Sequence, residues 1–101
     1  MPNKYSYSCK FIAKTGNGEE LIDILLAAAK LLESNEDCWY YVISKGTDPD
    51  NIWVNEVWLS KEAHDKSLEP EEIKATIKRA MPLIDSVSDR NKKVIIGGKG
   101  L

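Results

Sequence analysis

The run Ile52–Leu59, Ile-Trp-Val-Asn-Glu-Val-Trp-Leu, restricts this chain more than any other segment. Its density of aromatic and β-branched residues predicts a strand, and side chains along a strand alternate between two faces. Ile52, Val54, Glu56 and Trp58 then point one way, and Trp53, Asn55, Val57 and Leu59 the other. Each face carries a tryptophan, so neither is written for water alone. Any fold that accepts this strand must cover the sheet on both sides.

The preceding segment has the same character. Cys38–Lys45 predicts a strand in which Trp39, Tyr41 and Ile43 oppose Cys38, Tyr40 and Val42. Between the two lies Gly46-Thr47-Asp48-Pro49-Asp50-Asn51, a cluster of turn formers too short to hold a helix. The pair reads as a hairpin with a long loop.

Flanking segments change period. Tyr5–Lys14 alternates Tyr5, Tyr7, Cys9, Phe11 and Ala13 against polar residues, a half-buried strand broken only by Ile12. Gly16-Asn17-Gly18 stops it, and Asn17 with Glu20 three residues on resembles a capping box. Leu21, Ile24, Leu25, Ala28 and Leu32 then recur at helical spacing, which predicts a helix to about Ser34. Ser60 is placed to cap a short helix through about Lys66, and Pro70 with Glu71 and Glu72 to start a longer one. That helix would bury Ile73, Ile77, Ala80, Met81 and Ile84, with Pro82 kinking or shortening its last turn. Lys92–Ile96 predicts a final strand, followed by a tail over about 97–101. Strand, helix, strand, strand, helix, strand in one 101-residue domain, residues 1–101, is the α+β ferredoxin-like order with an antiparallel sheet.

Two helices cover one face of a four-stranded sheet. The aromatics of the other would leave a large apolar patch, each burying roughly 150–250 Å² when covered. A second copy packed face to face is the simplest cover, giving a homodimer. Fourteen basic residues against sixteen acidic ones provide no electrostatic case for nucleic acid. The longest apolar stretch, Leu21–Leu32, is too short for a bilayer, and Met1–Lys10 lacks a secretory pattern. A cytoplasmic protein with free thiols at Cys9 and Cys38 is expected, without zinc. The ferredoxin-like strand order also keeps those two cysteines apart.

Phe11-Ile12-Ala13-Lys14 running into Gly18-Glu19-Glu20-Leu21, Cys38-Trp39-Tyr40-Tyr41, and above all Glu56-Val57-Trp58-Leu59-Ser60-Lys61-Glu62-Ala63 carry a resemblance over nearly the whole chain. In their order and spacing these segments resemble the antibiotic biosynthesis monooxygenase domain family, which includes quinol monooxygenases. The resemblance implies a dimeric α+β barrel with a pocket between each sheet and its helices. It also implies oxidation of a small electron-rich aromatic, such as a quinol or anthrone, by molecular oxygen without a bound cofactor. Members often carry a histidine eleven residues after the glutamate of Glu-x-Trp; that place is Ser67 here, and the one histidine, His64, lies three residues earlier. The haem-degrading relatives' asparagine, tryptophan and histidine fall near Cys9, Ser67 and Ile77, so haem degradation is not expected.

Cofactor-free oxygenation needs a base, and His64 is the one side chain whose ordinary pKa suits that role near neutrality. The plainer reading places it on the surface of a short helix. Glu56, mid-strand beside Trp58, could act as base or orient a substrate hydroxyl; the plainer reading is a buried ion pair to Arg79 or a lysine. Trp58 and Tyr41 are the candidate substrate contacts, while Asn55 falls on the opposite face by parity. The competing function is a non-catalytic dimeric barrel that binds a small hydrophobic metabolite.

Overall fold

The computed structural model describes residues 3–101; the first two residues of the predicted domain and of the N-terminal reading lie outside them. The chain forms β1 (Lys4–Ala13), α1 (Gly18–Leu31), β2 (Cys38–Lys45), β3 (Asn51–Trp58), α2 (Lys61–Lys66), α3 (Glu71–Ala80) and β4 (Ile84–Ile95). Short 3-10 turns follow α1 and α3, at Leu32–Ser34 and Met81–Leu83. The four strands make one antiparallel sheet in the order β2-β3-β1-β4, the predicted ferredoxin-like fold. Cys9 and Cys38 are free, on strands separated by β3.

The helices pack on one face of the sheet. Leu21 and Leu25 of α1 and Ala80 of α3 meet Cys9, Ala13, Ile52 and Val54 in one core cluster, while Ile73 joins Tyr5, Leu32 and Trp58 in another. The stripe expected on α3 is shorter than its spacing suggested. Ile77 and Met81 are exposed, and Ile84 opens β4 instead of closing the helix. Pro82 explains the difference. It ends the i→i−4 ladder in a tight turn, and the chain re-enters the sheet eight residues before the predicted strand.

Two corrections concern local geometry. Asn17 makes no side-chain cap; the Asp50 carboxylate from the β2-β3 loop accepts from Gly16 N–H at 3.1 Å and Gly18 N–H at 3.0 Å. The start of α1 is therefore tied to the loop thirty-two residues away in sequence. Gly18 is required there, because a Cβ would collide with the Pro49 carbonyl. In β2, Cys38 pairs with Trp58 and Tyr40 with Val57, so Trp39 is an extra residue in a bulge. The bulge reverses the parity expected for this end of the strand. Cys38 packs with Tyr41 on the helix side, and Trp39 turns outward to meet Lys4, whose ammonium lies 4.7 Å from its ring centroid.

Candidate active site

Between sheet and helices lies a cavity of about 340 Å³, within the range of small-molecule sites. Its wall is largely apolar, with Phe11, Leu25, Val54, Ile73 and Val87 among the lining residues. Four predicted residues, His64, Glu56, Trp58 and Tyr41, all line it. Asn55 does not; it pairs with Val42 on the outer face, as its parity required.

Glu56 and Trp58 reach the cavity because they are two apart on β3, and both are buried. Trp58 Nε1 donates to Glu56 Oε1 at 3.0 Å. The expected ion pair to Arg79 or a lysine is absent: among the described residues, the nitrogen side chain that approaches the carboxyl besides Trp58 is His64, with Nε2 3.7 Å from Oε1. That separation is beyond a direct hydrogen bond and short enough for one water or a small side-chain rotation to close. Burial raises the pKa of Glu56, and the Trp58 N–H and His64 offset part of the rise.

His64 comes from α2. Ser60 caps that helix as predicted, accepting from Ala63 N–H at 3.1 Å, and fixes where the next residue points. The surface placement considered for this histidine is overturned, since its side chain is only 13 % exposed. The imidazole sits among Tyr5, Tyr7 and Trp58, with ring centroids at 5.7, 5.3 and 5.7 Å. Its outer nitrogen, Nδ1, lies 3.1 Å from Asp65 Oδ1, and Lys61 Nζ holds the other oxygen of that carboxylate at 2.9 Å. Lys61, then His64, keep the Asp65 carboxyl below its usual pKa. An ionised Asp65 favours the tautomer in which Nδ1–H donates a hydrogen bond to it, which leaves Nε2 directed at Glu56 and the cavity.

Asp65 was not singled out from sequence, although its place four residues after Lys61 and next to the histidine was a usable signal. Ser67 also lines the cavity, one turn beyond His64, and its hydroxyl donates to the His64 carbonyl. The two positions share a helical face, so a histidine at either would meet the same cavity. Tyr41 completes the polar set. Its phenol is held protonated well above the ordinary range, first by burial and then by the Glu56 charge.

The antibiotic biosynthesis monooxygenase profile matches residues 9–79. This chain belongs to the antibiotic biosynthesis monooxygenase family. A candidate monooxygenase of that name from Chloroflexus aurantiacus is 35% identical, with a TM-score of 0.87 over 96% of this chain and 97% of the other. Among curated proteins, none matches. Two structures of lower identity share the fold: SO0527 from Shewanella oneidensis, 21% identical with a TM-score of 0.80 over 94% and 95% of the two chains, and PA3566 from Pseudomonas aeruginosa, 16% identical with a TM-score of 0.85 over 96% and 98%. The family assignment agrees with the expectation drawn from the Glu-x-Trp segment.

Proposed function

We propose that this family member is a cofactor-independent monooxygenase acting on a small electron-rich aromatic, such as a quinol or anthrone, inside the sheet-helix cavity. The observation that carries this reading is the imidazole of His64, oriented by Asp65 on one side and facing buried Glu56 on the other, in a largely apolar pocket. Such an environment suits proton removal from a phenol or enol, because the anion formed is poorly solvated and gives up an electron to oxygen readily. His64 takes the proton and Glu56 steadies the resulting imidazolium. Trp58 and Tyr41 contact the substrate ring, the tyrosine as a hydrogen-bond donor.

For an anthrone the balance is simple. The ring methylene becomes a carbonyl, one atom of O2 enters the product, and the other leaves as water with both methylene hydrogens. All four electrons come from the substrate, so no further reductant is needed. Incubation under labelled oxygen, followed by product mass, tests the proposal: one labelled atom per product, formed at an enzyme-dependent rate, is expected. Enzyme-dependent turnover without label in the product would identify an oxidase, and binding of the aromatic without any turnover a non-catalytic barrel for a small hydrophobic metabolite.

The outer sheet face supports a homodimer. Trp39, Tyr40 and Val42 are 43 %, 44 % and 47 % exposed there, and Lys10 lies 5.3 Å from the Trp53 ring centroid on the same face. A second copy covers this patch face to face. Light scattering at micromolar concentration should give twice the 11.4 kDa chain mass; a single species at the chain mass contradicts the dimer. Among the described residues, no helix is long and apolar enough to cross a membrane.

A further inference from the structure

One lining residue has no part in the chemistry above. Arg90 is exposed and borders the cavity, so it stands where the pocket meets solvent. Of the residues that line the cavity it is the sole lysine or arginine. Ion pairs among the described residues leave it out, so its guanidinium keeps its donors for water or a ligand.

Its direction is set by an irregularity in β4. Ser8 pairs with Asn91 and Lys10 with Ser88, so Asp89 and Arg90 together oppose the single residue Cys9. Asp89 adopts the left-handed conformation, with φ 51°. Ser88 Oγ donates to the Asp89 carboxylate at 3.3 Å, and Asn91 Nδ2 donates to the Asp89 carbonyl at 3.1 Å. In a regular strand Val87 and Arg90, three residues apart, would point to opposite faces. The bulge turns both to the cavity. The guanidinium also lowers the pKa of Cys9 and Tyr7 against the larger effect of their burial, so its charge is felt inside the pocket.

Glu56 is on β3 and Arg90 on β4, with β1 between them. Glu56 is level with Tyr7 and Lys92, so Arg90 lies two strand spacings across and two residues along, roughly 12 Å between backbones, and one flat ligand can meet both side chains. We propose that Arg90 is a specificity-determining residue that selects aromatic ligands bearing a carboxylate at the end remote from His64 and Glu56. The guanidinium fork matches a carboxylate through paired, charge-assisted hydrogen bonds, while the rings occupy the apolar wall. The inference rests on the oxygenation reading only for which end of the ligand reacts; the binding preference stands apart from turnover.

Calorimetric titration with two unreactive probes tests it. One is a hydroxynaphthoic acid whose carboxylate and hydroxyl sit on different rings, and the other is the matching naphthol. Wild-type protein should bind the acid about tenfold more tightly, the scale of one charge-assisted contact. Arg90→Gln should abolish that preference while changing naphthol affinity less than about twofold, and Lys92→Gln, on the same strand, should retain it. Equal affinity of wild type for the two probes, or a preference that survives in Arg90→Gln, overturns the assignment of Arg90 alone. Failure of both probes to bind overturns it together with the reading of the cavity as an aromatic site.

Discussion

Neighbouring residues on β3 lie in different solvents. On its helix side Ile52, Val54 and Trp58 are at most 1 % exposed and Glu56 is 7 % exposed; on the other side Asn55 is open to water and Trp53 and Val57 are half-covered. Two tryptophans five positions apart therefore have different jobs. Trp58 is closed off from bulk solvent, borders the cavity and holds a carboxyl through its N–H, whereas Trp53 lies beneath the Lys10 ammonium. The buried face gathers titratable groups in apolar surroundings, where their pKa values move and acid-base chemistry becomes possible. The open face carries cations over aromatic rings, an arrangement compatible with water on one side and a partner on the other.

Replacing the two tryptophans is the strongest way to break this comparison. Trp58→Ala should cost about 3–5 kcal/mol in urea unfolding, the usual loss for a large buried aromatic. Trp53→Ala should cost less than about 1 kcal/mol in the monomeric unit, because its ring is already partly wet. Equal losses would show that the faces are not energetically distinct. Next in size is Asp50→Ala, which leaves the Gly16 and Gly18 N–H groups without their acceptor and should cost about 1–2 kcal/mol.

A pH effect is the smallest and sharpens the contrast. Burial raises the pKa of Glu56 in the folded protein, so the native state holds its proton more tightly than the unfolded chain. Its contribution favours folding below the unfolded carboxyl value, near about 4.3, and is lost as pH rises through the higher folded value. Glu56→Gln removes that dependence. The melting temperature of the variant minus that of wild type should increase with pH across this window, and the matching outer-face change, Asn55→Asp, should give no such trend.

Much of this division was legible before any coordinates. Strict alternation on β3 placed Glu56 with Trp58 and Asn55 opposite them, and the Ser60 cap predicted where α2 begins. What escaped was set by irregular backbone or by partners distant in sequence. The Trp39 bulge and each of the two irregularities of β4 insert one residue and reverse the parity beyond it, which no hydrophobic pattern records. Asp50 replaced Asn17 as the cap of α1 because the β2-β3 loop returns to it in space. The sequence left His64 between a base and a surface residue of a short helix; the packing of α2, which brings its ring among Tyr5, Tyr7 and Trp58, decides against the surface. Pro82 was expected to kink or shorten the last turn of α3, yet the strand that follows it begins much further back than the run Lys92–Ile96 indicates.

Oxygen uptake by wild type and His64→Ala, with a reduced naphthoquinol or anthrone and corrected for autoxidation, is the most direct test of the buried face as a reaction site. Saturable uptake by wild type that falls about a hundredfold or more in the variant, with the fold of both intact, is the predicted result. Equal rates in the two proteins would contradict the role of His64, and no enzyme-dependent uptake with either substrate would contradict oxygenation in this cavity.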